Sequence, residues 1–562
     1  MAIRSKKPLG QMLVEGNKIS KEELAKALEY QKEAGTYLGK ALINLEIISE
    51  EEFDEFLGEQ LGIPLINLGS YEVSRDALEL LPDKVVRKHK VLPLFEIEGV
   101  LSVAVSDPLD DNALDAVARE TGLNVEPVLA LSTDIDSAID VYYGISKIIG
   151  DIDTDDFVQA SDQVALEELA DETKIVALVD GLIKQAVKYL ASDIHIEARE
   201  NDIRVRLRID GKLQDFHTPP KSLHLPLLSR LKIMSGLDIA ETRRPQDGRI
   251  HLSSDGRRLD LRFSTFPTYY GEKAVLRVLD VEKAKLKLDE LGFEPNVMKT
   301  YGDLISSGEG VILFSGPTGS GKTTTLYATL NTINSPTKNI VTIEDPIEYE
   351  LVNINQAQVN RKAGLTFAAA LRSILRQDPD IIMVGEIRDE ETVELAIRAA
   401  LTGHLVFSTI HTNDAAGGFA RLRNWEMEPF LITSTIKAII AQRLIRKLCL
   451  KCRKPYAPPP EELRKLGLEE NGEYTFYKAT GCLSCRNAGY TGRIGLFELL
   501  VMTPTIGQMV TSNESAQEIR KAAENEGMVT LFRDGTNKVV HGITSFDEFV
   551  TTVSATVTQL DK

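Results

Sequence analysis

An α/β fold, with a mostly parallel sheet covered by helices on both faces, is predicted for the C-terminal half of this chain, and three observations predict it. Apolar segments VILFS, IVTIE, IIMVG and LVFSTI recur between Val311 and Ile410, alternating with stretches of helical periodicity. Strands buried on both faces read as such continuous apolar runs. Between the first run and its helix stands GPTGSGKT, Gly316 to Thr323, where glycines let backbone N–H groups converge on phosphates. Two Cys-x2-Cys pairs, Cys449 with Cys452 and Cys482 with Cys485, account for all four cysteines.

The 562 residues make several domains, and 43% hydrophobic beside 27% charged content excludes a disordered or fibrous chain. The net charge of −19 is uneven: residues 1–172 hold 15 basic and 36 acidic groups, residues 173–562 hold 50 and 48. That balance excludes a protein that coats nucleic acid with its whole surface, and no direct nucleic-acid partner is expected. The start, MAIRSKKPLGQMLVEG, has no apolar signal core, and no run of 18 apolar residues occurs, so any membrane contact is expected to be peripheral.

Residues 1–68 read as a helical repeat module, because Leu9–Gln31 realigns on Leu38–Gln60 at an offset of 29. Ser20 and Ser49 precede helical patterns, with Glu23 and Glu52 three positions on completing capping boxes. Residues 69–145 form a small α/β module of short β runs and the helical LDDNALDAVARETG. Residues 146–172 are an acidic linker, since 151–172 carry nine acidic groups and no basic one. Residues 173–290 form a small α/β domain in which alternating strands IHIEA, DIRVRLRIDG, RLDLRFS and AVLRVLD follow a helix. Residues 291–562 form the P-loop domain, with a zinc-binding insertion at 449–485 and a helical C-terminus.

The loop of Gly316, Pro317, Thr318, Gly319, Ser320 and Gly321, running into Lys322, Thr323 and Thr324, suits the phosphates of ATP. The helix N-terminus adds its field, the Lys322 amine reaches the β- and γ-phosphates, and Thr323 offers its hydroxyl to Mg²⁺. Glu344 and Glu348 sit at or beyond the carboxyl end of the next strand, where one of them can orient or deprotonate water and the alternative is a cap or salt bridge. Glu386 at a further strand tip suits Mg²⁺-bound water or assistance to the base, and His411 just beyond LVFSTI suits the γ-phosphate, with His404 at that strand's start. Leu291 to Phe293 are candidates to pack the adenine ring. Four thiolates at these spacings suit tetrahedral, structural Zn²⁺, with iron or a pair of redox dithiols as alternatives.

With SDIHIE at 192–197, RRPQDGR at 243–249, STFPTYYGEKAVLR at 264–277, GPTGSGKTTTLY at 316–327, TIEDPIE at 342–348, DPDIIMVGEIRDEET at 378–392 and TGHLVFSTIHTNDA at 402–415 beside the cysteine pairs, the chain resembles the ATPases of type II secretion and type IV pilus assembly. The resemblance covers nearly the whole chain. It implies a RecA-like core, Glu348 as catalytic glutamate, Glu386 as the acid of an atypical Walker B, and His404 and His411 as a histidine box. It also implies that the preceding domain supplies arginines to the nucleotide, with Arg262 and Arg277 as candidates. A homohexameric, Mg²⁺-dependent ATPase is implied, placed at the cytoplasmic face of the inner membrane through a platform protein and an adaptor. It would power pilin polymerisation or, alternatively, type II secretion; a nucleic-acid-dependent translocase is a further alternative. The N-terminal repeat resembles a region that binds cyclic di-GMP in some members, where arginine precedes each Leu-Gly; Pro8 and Tyr37 stand there, and Leu45 replaces the glycine corresponding to Gly16.

Overall fold

The structure, a computed structural model, describes residues 9–143 except 17, 35–37, 46, 49–51, 54, 55, 57, 59–62, 67, 69, 70, 72 and 109, and then residues 170, 172–254, 257–280, 287–482, 485 and 488–557. Pro8, Tyr37, Ser49 and almost all of the acidic linker lie outside the described residues.

Helices Leu9–Glu15, Lys21–Ala34 and Leu38–Asn44 carry the N-terminal repeat. Ser20 N–H donates to Glu23 Oε2 at 2.7 Å and Glu23 N–H to Ser20 Oγ at 3.2 Å, which closes the first capping box. Residues equivalent across the repeat, Leu13 with Leu42 and Ile19 with Ile48, share one core. A Cβ on Gly10 would lie 2.6 Å from Leu24 and one on Gly39 2.5 Å from Phe53, so the same glycine admits the same close approach twice. The following module pairs β1 (Leu92–Ile97) antiparallel with β2 (Val100–Val105), and β2 parallel with β3 (Asn124–Leu129). The crossover helix Asp111–Thr121 starts at Asp110, whose carboxylate accepts from Ala113 N–H, and stops at Gly122 with φ of 70°.

Contacts divide the chain into two compact units, with strands β1 to β3 in one and all the later strands in the other. The second unit begins with an antiparallel sheet made from β4 (Asp193–Ala198), β5 (Ile203–Ile209), β6 (Lys212–His217), β7 (Gln246–Ser254), β8 (Arg257–Thr268) and β9 (Gly271–Asp280), in the order β6-β5-β4-β9-β8-β7. Strand alternation sorts its faces: Ile203, Val205, Leu207 and Ile209 are buried, while Arg204, Arg206 and Arg208 point the other way. One register line crosses five strands as Arg208, Asp193, Arg277, Arg262 and Arg249.

The larger sheet consists of β10 (Gly310–Ser315), β11 (Ile340–Glu344), β12 (Asn355–Gln358), β13 (Ile381–Val384), β14 (Leu405–Ile410), β15 (Ile436–Leu448) and β18 (Tyr490–Val501), in the order β12-β11-β13-β14-β10-β15-β18. All neighbours are parallel except the edge strand β18. Val311 and Leu313 of β10 enter one core with Val406 and Ile439, whereas Ile312 and Phe314 enter a second with Phe407 and Ile440. Each such fully buried side chain contributes roughly 1.5–3 kcal/mol. The short ribbon of β16 (Lys454–Tyr456) and β17 (Phe476–Lys478) lies between the two cysteine pairs in sequence, with helix Pro460–Lys465 between its strands. Helices Pro504–Thr511, Ala516–Asn525, Leu531–Val540 and Phe546–Val557 supply Ile506, Ile519, Leu531 and Phe549 to the first core.

Candidate active site

The loop 316–321 leaves the carboxyl end of β10 and runs into helix Lys322–Ile333. Gly316, Gly319 and Gly321 have φ of 148°, 81° and 90°. At Gly316 a Cβ would lie 2.6 Å from both the Gln442 carbonyl oxygen and Ser320 Oγ, so only glycine fits. The Lys322 ammonium donates to the Gly316 oxygen at 2.7 Å and the Pro317 oxygen at 3.0 Å. Its burial and the neighbouring Arg443 charge pull its pKa down to about 8, partly opposed by Glu386. Ser320 Oγ is buried without a hydrogen-bond partner among the described residues. A cradle that a Cβ would block and an orphaned hydroxyl both fit a phosphate-bearing ligand. Thr323, in the first helical turn, is exposed.

Three further candidates follow the carboxyl ends of strands in the same sheet. Glu386, just after β13, pairs with Arg388 and faces His411, whose Nε2 is 3.7 Å from its Oε2. His411 follows β14 directly, and 49% of its side chain is exposed. His404 stands at the other end of β14, roughly 20 Å along the strand, and its Nδ1 is held by the Ala399 oxygen and Thr402 Oγ1. Glu348 has 32% of its side chain exposed. Glu344, by contrast, is buried and engaged by Tyr327, by Thr342 Oγ1 at 2.6 Å and by Gln356 Nε2 at 3.1 Å, and burial raises its pKa. Of the two glutamates, Glu344 is a structural acceptor and Glu348 retains access to solvent.

Arg262 reaches the acidic loop from the antiparallel sheet: its Nη2 donates to the Ile347 oxygen, and its Nη1 lies 3.3 Å from Glu348 Oε2. Arg277, its register partner, is 57% exposed and pairs with Asp193 at 3.2 Å. Both arginines line a pocket of about 370 Å³ with Arg249, Asp193 and Asp247. Leu291 and Phe293 sit against the edge strand: Leu291 O accepts from Gly495 N–H at 2.9 Å, and the Phe293 ring stacks on Phe497 with centroids 3.6 Å apart.

The structure adds residues that sequence reading left unassigned. Arg443 of β15 donates to the Asn413 oxygen at 2.8 Å, and neighbouring Gln442 accepts from Thr325 Oγ1 at 3.0 Å, so β15 braces both the phosphate loop's helix and the segment after His411. A charge inside the apolar run AIIAQRLI was the available signal. Tyr327 in the motif GKTTTLY had none beyond its helical position.

Ligand atoms of Cys449, Cys452, Cys482 and Cys485 all lie within 4.8 Å of one another. Four sulfur donors this close form a set able to bind a metal, and soft thiolates favour Zn²⁺ among common ions.

A phosphate-binding loop, carboxylates at neighbouring strand tips and a parallel sheet of this order define a P-loop ATPase with a RecA-like core. The family described as type II/IV secretion system protein matches residues 168–551, and the MshEN domain matches residues 61–148. The chain belongs to the type II/IV secretion system ATPase family, whose members hydrolyse ATP. It is 43% identical over 554 residues to the type IV pilus assembly ATPase PilB of Myxococcus xanthus, covering 96% of this chain and 98% of that one. The type II secretion system protein E of Xanthomonas campestris pv. campestris is 41% identical over 551 residues, with 95% and 96% covered. The Legionella pneumophila ATPase DotB shares the fold, at 22% identity with a TM-score of 0.51, over 67% of this chain and 95% of that one.

Proposed function

We propose that this chain is the homohexameric motor of type IV pilus assembly, which hydrolyses ATP to drive pilin polymerisation through an inner-membrane platform protein and a cytoplasmic adaptor. The observation that carries the reading is the likeness to the M. xanthus pilus assembly ATPase along nearly the whole of both chains. Type II secretion is the second reading, favoured by the comparably long likeness to the Xanthomonas secretion protein. Deletion of the gene, scored for surface pili and exoprotein release, tests the choice: loss of pili with secretion intact supports the first, and the reverse overturns it. No helix among the described residues is long and apolar enough to cross a membrane, which supports peripheral attachment through partners.

In this reading residues 316–324 hold the phosphates of ATP, and Lys322 exchanges its loop carbonyls for β- and γ-phosphate oxygens. Thr323 and Glu386 would hold Mg²⁺, which supplies charge neutralisation at those oxygens. Glu348 orients and deprotonates the attacking water, His411 donates toward the transferring oxygens, and Arg262 and Arg277 bring positive charge from the antiparallel sheet. Purified Glu348→Ala is expected to bind ATP without releasing phosphate; normal release sinks that assignment. The cysteines hold one structural Zn²⁺. The division proposed for the chain is 1–68, 69–145, 146–172, 173–290 and 291–562. Residues 1–145 serve as the docking part, and cyclic di-GMP is the ligand to titrate against them.

A further inference from the structure

We infer that Tyr327 is a positioning residue that fastens the loop carrying Glu348 to the helix carrying Lys322. The inference rests on reading Glu348 as the residue that activates water. Tyr327 lies five positions after Lys322 in helix Lys322–Ile333, and its side chain has no solvent exposure. Its hydroxyl donates to Glu344 Oε2 and accepts from Glu348 N–H at 3.3 Å. One phenol oxygen thus holds both ends of the turn between the tip of β11 and Glu348.

Each side of that oxygen is anchored. Glu344 is 3% exposed and takes further hydrogen bonds from Thr342 and Gln356, so it is a fixed acceptor. The Tyr327 ring meets Tyr349 edge to face, with centroids 4.5 Å apart at 89°, which fixes the direction of the hydroxyl. On the opposite side of the turn Arg262 grips the Ile347 oxygen and faces the Glu348 carboxylate. The main chain of Glu348 is therefore bonded to the phosphate-binding helix, and its carboxylate is paired with the antiparallel sheet. The tyrosine therefore holds Glu348 in register with Lys322 independently of the ion pair with Arg262. A base displaced by about 1 Å costs on the order of a hundredfold in rate, which is what a rigid tether prevents.

The test uses the full chain with ATP. Tyr327→Phe keeps the ring and removes only the oxygen. The expected result is a kcat lower by roughly 10- to 100-fold with ATP Kd within about twofold of wild type, and faster amide exchange at Glu348. In the Glu348→Gln background, Tyr327→Phe should bring no further loss. A wild-type kcat, a loss of affinity matching the loss of rate, or an equal further loss in the Glu348→Gln background overturns the inference. Wild-type turnover by Glu348→Gln instead overturns the reading of Glu348 itself. Should Tyr327→Phe not accumulate as folded protein, Glu344→Gln weakens the same anchor and carries the same readouts, with unchanged turnover and exchange again overturning the inference.

Discussion

Glu386 Oε2 lies 3.7 Å from His411 Nε2 because β13 and β14 are parallel neighbours, paired at Val384 and Ser408, whose tips open on the same edge of the sheet. In the proposed reading Glu386 would help hold the cation and His411 would serve the phosphate oxygens that gain charge. His411→Gln is expected to lower kcat by about 100-fold with little change in ATP affinity, measured by steady-state phosphate release and equilibrium binding.

Arg262 touches the acidic loop, whereas Arg277 is held by Asp193. Arg262→Gln is therefore expected to cost more turnover than Arg277→Gln, up to about 10³-fold for an arginine that meets transition-state charge. Equal kcat values for the two variants would contradict the ordering.

The phosphate loop is intolerant at Gly316, where φ is 148° and a Cβ would strike the Gln442 carbonyl. Both Gly316→Ala and Lys322→Ala should abolish ATP binding in a titration with a fluorescent analogue. Gly316→Ala should also lower Tm, since the clash is with backbone.

Elemental analysis of purified protein should find about one Zn per chain, and Cys482→Ser should lower both metal content and Tm, because a structural site contributes its binding energy to folding. Iron in place of zinc would overturn the identity of the metal, and no metal would overturn the structural site.

His217 is packed against Gln185 and Phe216, and burial pulls its pKa down to about 4. The unfolded chain, with histidine near 6.5, binds the proton first as pH falls, so stability present above pH 6.5 is lost progressively toward pH 4. Urea midpoints should drop between pH 7 and pH 5. His217→Gln should flatten part of that slope; His195 and His224, also depressed chiefly by burial, act in the same direction.

Much of this was legible in sequence where the determinant was local. The Ser20–Glu23 capping box, the repeat offset and the strand, glycine loop and helix around Lys322 depend on residues within a few positions of each other. So does the alternation that turns Arg204, Arg206 and Arg208 to one face. The choice between Glu344 and Glu348 was not local: both follow or end β11, and only the packing of Tyr327, Thr342 and Gln356 around Glu344 separates a buried acceptor from a partly exposed acid.

By itself the sequence determined a P-loop α/β ATPase with a four-cysteine element, because glycines at set spacing, apolar runs and paired thiols act through covalent proximity. Tertiary structure alone decided that Arg262 meets Glu348, that Arg443 braces the segment after His411, and that one tyrosine ties the acidic turn to the Lys322 helix. Those contacts depend on which strands lie side by side and on which residues are left without water, and neither is written in any short stretch of chain.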